Sequence, residues 1–240
     1  MDGMSEYIRV FAFLNLLFCL PSCATSRQPQ GNYEKPAGPS GPLLGILVDG
    51  SFHQRNVAEF ERMAVNFVLD RLGAEAEEGF VLKYGGRIEL LQDWFPLGRE
   101  RARLPQIAVD TENDESGRTR LYDAIAAGIK RLETRNDSGS KVLVIIGEGN
   151  DFGSSLKYDE VKRLAQSAHV QCFALLVADH NLMEGRVRHF GFYLYNLART
   201  TKGAGYDIEA SRKHLEKAVV SALERIQLFH SNPSIPDPRL

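Results

Sequence analysis

Short apolar runs alternate along the chain with longer stretches in which apolar residues recur every three or four positions. The short runs predict strands, because they have strand length and end at glycines or polar residues. They cover residues 43–48, 80–84, 88–91, 141–147, 171–177 and 206–208.

The longer stretches predict amphipathic helices. They cover residues 54–72, 121–132, 156–168, 190–201 and 215–226, and residues 97–104 are expected to form a further short helix. In the first helix, the predicted buried face contains Val57, Phe60, Ala64, Phe67, Val68 and Leu72, and the charged residues Glu59, Glu61, Arg62 and Asp70 are expected to lie elsewhere.

The order of these elements predicts the fold class. Strands separated by helices of ten or more residues favour crossover connections and a parallel sheet covered on both faces. Gly85-Gly86 separates two adjacent strand runs and predicts a tight hairpin, which introduces one antiparallel strand. We therefore expect a three-layer, doubly wound, Rossmann-like α/β sandwich, with a mainly parallel sheet and one antiparallel edge strand.

The first residues have a different character. Residues 10–20 are almost wholly apolar but too short to span a bilayer, which is typical of a signal-peptide core. The following Leu20-Pro21-Ser22-Cys23 resembles a bacterial lipobox, so we predict a signal peptide over residues 1–23 and lipidation of Cys23. Arg9 is the only basic side chain before the apolar core, so secretion without lipid, an uncleaved anchor and a start at Met4 stay open.

Proline-rich segments bound the predicted domain. Residues 24–42 contain four prolines and no apolar periodicity, and are interpreted as a tether. Residues 231–240 contain three more prolines and are interpreted as a flexible tail, which leaves residues 43–230 as the folded unit. After removal of Cys19 and lipidation of Cys23, only Cys172 would remain, so no disulfide is expected; Cys172 is interpreted as a core residue.

Composition limits the classes of partner. The 240 residues are 43% hydrophobic and 25% charged, with a formal net charge of −2 and no basic stripe. Nucleic acid and a charged membrane surface are therefore not expected as partners. Contact with a membrane is expected only through the N-terminal lipid.

Motifs for nucleotide binding and hydrolysis are absent from the sequence. It contains no Gly-x-Gly-x-x-Gly after the first strand, no Gly-x-x-x-x-Gly-Lys-Ser/Thr loop and no Gly-x-Ser-x-Gly elbow. Ser51 has no identifiable general base, although His53 lies two residues away. We therefore expect a protein that is not an enzyme.

Polar residues follow the ends of predicted parallel strands, where ligands bind in open α/β sheets. Asp49-Gly-Ser-Phe-His53 and residues 142–151 around Glu148 have this property, and residues 117–125 around Thr119 form a third segment, at the start of a predicted helix. In order and spacing they resemble the three loops of a von Willebrand factor type A (VWA) domain. Residues 86–93 and 197–205 further resemble the VWFA-related branch of acidobacterial exported proteins.

The resemblance implies a metal-ion-dependent adhesion site. In that family, Asp-x-Ser-x-Ser, a Thr and an Asp hold Mg²⁺ or Mn²⁺, and one coordination position is left for an acidic side chain of a partner protein. Asp49, Ser51 and Thr119 match this pattern. The donors are oxygens, which suit a hard cation.

Two positions depart from the family pattern. His53 replaces the second Ser, and an imidazole suits zinc or copper better than magnesium. Glu148 replaces the Asp and is one methylene longer, in a site where magnesium tolerates little error. Binding of Mg²⁺ or Mn²⁺, recruitment of a transition metal through His53, and a metal-free pocket therefore stay open.

Simpler roles are also open for these residues. Ser51 and Thr119 could cap helices, Asp49 could accept hydrogen bonds from turn amides, and Glu148 could be solvated. Asp123 and Asp151 could be ordinary polar groups, and Trp94 and Phe95 could either bind a partner or cover the core.

We therefore expect an exported, non-catalytic protein-binding module of the cell envelope, with a degenerate adhesion site formed by Asp49, Ser51, His53, Thr119 and Glu148. The alternative is a metal-free structural or assembly protein of the envelope.

Overall fold

The computed structural model describes residues 41–97, 118–135, 139–177 and 187–231, without side chains for 187–190 and 228–231. All of them belong to a unit formed by residues 38–240. The predicted signal peptide with Cys23, most of the tether, most of the tail and residues 98–104 of the predicted short helix lie outside the described residues.

The described residues form a six-stranded sheet and five α-helices. The strands are β1 Leu43–Asp49, β2 Glu78–Tyr84, β3 Ile88–Pro96, β4 Lys141–Gly147, β5 Val170–Leu176 and β6 Gly205–Asp207. The helices are α1 Ala58–Arg71, α2 Leu121–Glu133, α3 Tyr158–Ser167, α4 Val187–Thr200 and α5 Arg212–Ser231. Within this part of the chain, no helix is both long and apolar enough to cross a membrane.

The strand order in the sheet is β3-β2-β1-β4-β5-β6. Every neighbouring pair is parallel except β2 and β3, which are antiparallel. This arrangement confirms the predicted Rossmann-like sheet with one antiparallel edge strand. β1 lies between β2 and β4, so the carboxyl ends of these three strands are adjacent at one edge of the sheet.

Alternating side chains of the strands build a core on each face of the sheet. Leu44, Ile46 and Val48 of β1 join the core that contains the apolar faces of α1 and α5. Leu43 and Leu47 join the opposite core, which contains residues of α2, α3 and α4. The molecule therefore has the three layers that the sequence predicts.

The hairpin strand β3 is longer than predicted. It continues past Leu91 to Pro96, with irregular register against β2, so that it includes Trp94 and Phe95. Phe95 is buried in the core, and the Trp94 ring packs edge-on against Phe80 at 4.8 Å between centroids. This packing favours the interpretation that the two aromatic residues cover the core. The prediction missed the extension because the polar pair Gln92-Asp93 interrupts the apolar run.

Two details of the first helix also differ from the prediction. Phe52–Gln54 forms a separate 3-10 turn, and α1 begins only at Ala58. The expected location of Glu61 away from the buried face is wrong, because its side chain is fully buried. The predicted face also omitted Val65 and Leu69, which are buried. The buried face of α1 is therefore rotated toward Glu61.

We predict that Phe173→Ala lowers the free energy of unfolding by about 3–5 kcal/mol, because Phe173 is fully buried in β5 and its truncation leaves a cavity. Phe192→Ala is the matched control, since Phe192 on α4 is 61% exposed, and should change stability by less than about 1 kcal/mol. Urea denaturation of both variants measures the difference. Equal losses would contradict the assignment of Phe173 to the core.

Candidate functional site

A short backbone segment crosses over the end of the central strand. The N–H of Arg120 donates to the carbonyl of Gly85, just after β2, at 2.9 Å. The carbonyl of Thr119 accepts from the N–H of Phe152, after β4, also at 2.9 Å. Because β1 lies between β2 and β4, these two bonds position Thr119 over the strand end that carries Asp49.

Asp49, Ser51 and Thr119 are brought together and removed from water, each at most 1% exposed. The N–H of Ser51 donates to Asp49 Oδ1 at 2.9 Å, which confirms that Asp49 binds a turn amide. Asp49 Oδ2, Ser51 Oγ and Thr119 Oγ1 are buried without a hydrogen-bond partner among the described residues. A buried polar atom without a partner costs about 1–3 kcal/mol, so three of them near one strand end are costly to bury.

Capping does not account for the two hydroxyls. Ser51 occupies the N-cap position of the 3-10 turn, but its side chain makes no capping hydrogen bond. The N-cap of α2 is Arg120, not Thr119, and it has no side-chain capping bond either. The interpretation of Ser51 and Thr119 as helix caps is therefore wrong.

Burial raises the pKa of Asp49 to about 7, and the carboxyl of Glu148 contributes to the rise. The bond from the Ser51 backbone opposes it. The hydroxyls of Ser51 and Tyr84 also lie beside the carboxyl and oppose the rise, although neither has the geometry of a hydrogen bond to Oδ2. The Tyr84 hydroxyl donates instead to the carbonyl of Ile146, at a long 3.4 Å.

Glu148 follows β4 and is half-buried, so it is not fully solvated. Its Oε1 accepts a hydrogen bond from the side-chain amide of Asn150. Burial raises the pKa of Glu148, and the side chains of Asn150, His53 and Gln54 oppose the rise. The longer side chain that departs from the family pattern is thus held at the site by two amide side chains.

Gly147 lets β4 approach the Asp49 side chain closely. It adopts a φ of +151°, which disfavours residues with a side chain. A Cβ at this position would lie 2.7 Å from Asp49 Cβ and 2.5 Å from the Tyr84 hydroxyl oxygen. The end of β4 therefore forms part of the wall around the carboxyl.

His53 lies beside the site but is exposed to solvent. Within the described ranges, no group of three or more His, Cys, Asp or Glu side chains is arranged to hold a metal ion. A transition-metal site around His53 would need such a set of ligands. A cation at this place would depend instead on Asp49 together with hydroxyl oxygens.

Asp123 and Asp151 accept hydrogen bonds from backbone groups of the loops around the site. Asp123 accepts hydrogen bonds from the backbone N–H groups of Ser155 and Leu156, and Asp151 accepts from the N–H of Tyr122. These bonds tie the start of α2 to the loop after β4. Their interpretation as ordinary polar groups is confirmed, and their effect is to fix the position of Thr119.

Sequence reasoning missed Glu61, which lies on α1 close enough to Asp49 and Glu148 to interact with both electrostatically. Burial, followed by these two carboxyls, raises its pKa well above the ordinary value. Both of its oxygens are buried without a hydrogen-bond partner in the described part of the chain. The signal was its spacing, since Glu61 lies three, four and seven residues before the apolar residues Ala64, Val65 and Val68.

Comparison with known proteins identifies the fold. No protein-family model matches the chain, and no curated protein is similar to it in sequence. Among solved structures, proximal thread matrix protein 1 from the mussel byssus has a TM-score of 0.54 at 15% identity, over 77% of this chain and 47% of that one. A von Willebrand factor type A protein from Catenulispora acidiphila has a TM-score of 0.53 at 13% identity, over 78% of this chain and 43% of that one.

The chain has the fold of a VWA domain. It spans less than half the length of each of these two proteins. In the VWA fold observed here, Asp49, Ser51 and Thr119 occupy one buried site at the carboxyl edge of the sheet. Their unpartnered oxygens fit a hard, oxygen-binding cation such as Mg²⁺ or Mn²⁺.

We predict that, in chelator, the stability of the full chain falls as the pH rises from about 4 to 7. Folded Asp49 keeps its proton up to a pH of about 7, whereas the unfolded residue loses it near 3.8, so unfolding releases a proton in this range. Each pKa unit corresponds to about 1.4 kcal/mol. Urea denaturation at several pH values measures the slope, which Asp49→Asn should reduce. An unchanged slope in Asp49→Asn would contradict the assignment.

Proposed function

We propose that the chain is a non-catalytic protein-binding module that uses a degenerate metal-ion-dependent adhesion site. In this proposal, Asp49, Ser51 and Thr119 bind Mg²⁺ or Mn²⁺, and Glu148 contributes charge. The carrying observation is that three buried oxygens from three different residues lack partners at the end of the central strand.

The residues around the site suit an acidic partner. Arg55 and Arg118 are exposed, and they belong to the two loops that carry Ser51 and Thr119. Phe152, which is 56% exposed, follows β4 and is bonded through its backbone to Thr119. A cation bound by the protein on one side can bind a carboxylate of the partner on its open side. The two arginines would attract other acidic residues of the partner.

The proposal places the module outside the cytoplasm, tethered by lipid on Cys23. It rests on the apolar segment and the lipobox-like residues before Cys23. The proline-rich residues 24–42 would then hold the VWA domain away from the membrane.

We predict that partner binding needs both the cation and Asp49. Immobilised full chain should retain its partner from an extract of the native cell envelope in Mg²⁺ or Mn²⁺ and release it in chelator, because the cation bridges the two proteins. Asp49→Ala should retain none. Asp159→Ala is the control, since Asp159 is an exposed carboxylate on α3, and should bind as the wild type does. Retention that survives both chelator and Asp49→Ala would favour the metal-free assembly role.

We predict that the full chain, produced in a bacterium with a lipoprotein pathway, incorporates labelled palmitate, and that Cys23→Ser abolishes the label because the acceptor thiol is lost. Cys172→Ser is the matched control, since Cys172 is buried in β5 and its thiol pKa is raised to about 12 by burial. Label that persists in Cys23→Ser would exclude Cys23 as the lipidated residue.

A further inference from the structure

Glu61 is not part of the adhesion-site pattern, yet its side chain is fully buried. It lies in the first turn of α1, it is 0% exposed, and neither of its oxygens has a hydrogen-bond partner among the described residues. A buried carboxylate without a partner is strongly destabilising unless a cation or a proton neutralises it.

The surroundings of Glu61 supply negative charge and no positive charge. Its electrostatic neighbours are the carboxyls of Asp49 and Glu148, and no basic group contributes to its environment in the described residues. Like charges in a dry site repel each other strongly. These three carboxyls can therefore be buried together only if protons or a cation neutralise them.

Several buried oxygens around the site lack hydrogen-bond partners, as the two oxygens of Glu61 do. Besides Asp49, Ser51 and Thr119, the buried amide oxygens of Gln54 and Asn150 lack hydrogen-bond partners in the part of the chain described. The Gln54 and Asn150 side chains both interact with Glu148. Every one of these atoms is an oxygen, which is the ligand type that Mg²⁺, Mn²⁺ and Ca²⁺ prefer.

We propose that Glu61 is an additional residue of the cation site, where its buried carboxyl would supply negative charge to a bound cation. The inference rests on the proposed cation site. Because no three carboxyl or imidazole groups in the described residues are arranged to hold an ion directly, we assign Glu61 a role behind the residues that would contact the cation. Residues that act through water or through a ligand typically change metal affinity by about 10–100-fold when they are replaced.

Glu61→Gln separates a cation-site role from a purely structural one. The amide has the same shape but cannot ionise, so in chelator it removes the cost of either protonating the carboxyl or burying its charge, and it should raise the midpoint of thermal unfolding by a few degrees. In Mg²⁺, Mn²⁺ or Ca²⁺ the same variant should bind the cation at least about 10-fold more weakly. Glu61→Gln should therefore be more stable than the wild type in chelator. When the cation is added, its midpoint should rise less than that of the wild type.

The test uses the full chain and titration calorimetry with each cation at pH 7.5, together with thermal unfolding in chelator and in cation. Glu59→Gln is the matched control, because Glu59 is exposed on the same helix and pairs with Arg62; it should leave cation affinity unchanged. Glu61→Asp keeps the charge with a shorter side chain, so its affinity should lie between those of the wild type and Glu61→Gln. If Glu61→Gln does not fold, wild-type affinity in Glu61→Asp overturns the proposal and weaker affinity supports it.

The failure of each proposal has its own signature. If no cation binds the wild type or raises its midpoint, the adhesion site itself is wrong, and the role of Glu61 is wrong with it. If the wild type binds a cation and Glu61→Gln binds it equally well, only the role of Glu61 is overturned. A midpoint lowered equally with and without cation would show that Glu61 serves packing alone.

Discussion

Burial of the Asp49 carboxyl at the end of the central strand is the constraint on which the rest of the site depends. β2 and β4 flank this strand end, and the backbone segment that carries Thr119 closes over it. Water is thus excluded from a carboxyl that has one oxygen bonded to a turn amide and the other without a partner. In natural proteins, local costs of this kind are concentrated at functional sites.

Hydrogen bonds and a close backbone approach fix the positions of the residues around Asp49. Asp123 and Asp151 bond the loop after β4 to the start of α2, which fixes the segment over the strand. Gly147 allows the end of β4 to approach Asp49 without a side chain between them. The oxygens are therefore positioned before any ligand arrives, which lowers the cost of ordering on binding.

The sequence was sufficient to predict the features that depend on local pattern. The β-branched run of β4 has the predicted bounds, residues 141–147, because an uninterrupted apolar run leaves little choice of register. Asp49 and Ser51 lie where expected, because β1 ends at the carboxyl edge of the sheet, and backbone bonds place the segment of Thr119 at the same edge. The VWA fold that this resemblance implies is confirmed by solved structures at 13% and 15% identity.

Features that depend on tertiary packing could not be predicted in the same way. The face of α1 is set by what packs against the sheet, so Glu61 was placed on the wrong side of the helix. β3 continues through polar residues because Phe95 fills the core and Trp94 packs on Phe80. The environments of Ser51 and Thr119 also needed the structure, since a hydroxyl that caps a helix and one that is buried without a partner look alike in sequence.

The same fold carries different functions in different proteins, so the site and not the fold must be tested. The most direct measurement is anomalous diffraction from crystals of the full chain grown with Mn²⁺. A cation site predicts one strong manganese peak bounded by Asp49, Ser51 and Thr119. Crystals of the same chain with no anomalous peak among these residues at saturating Mn²⁺ would contradict it.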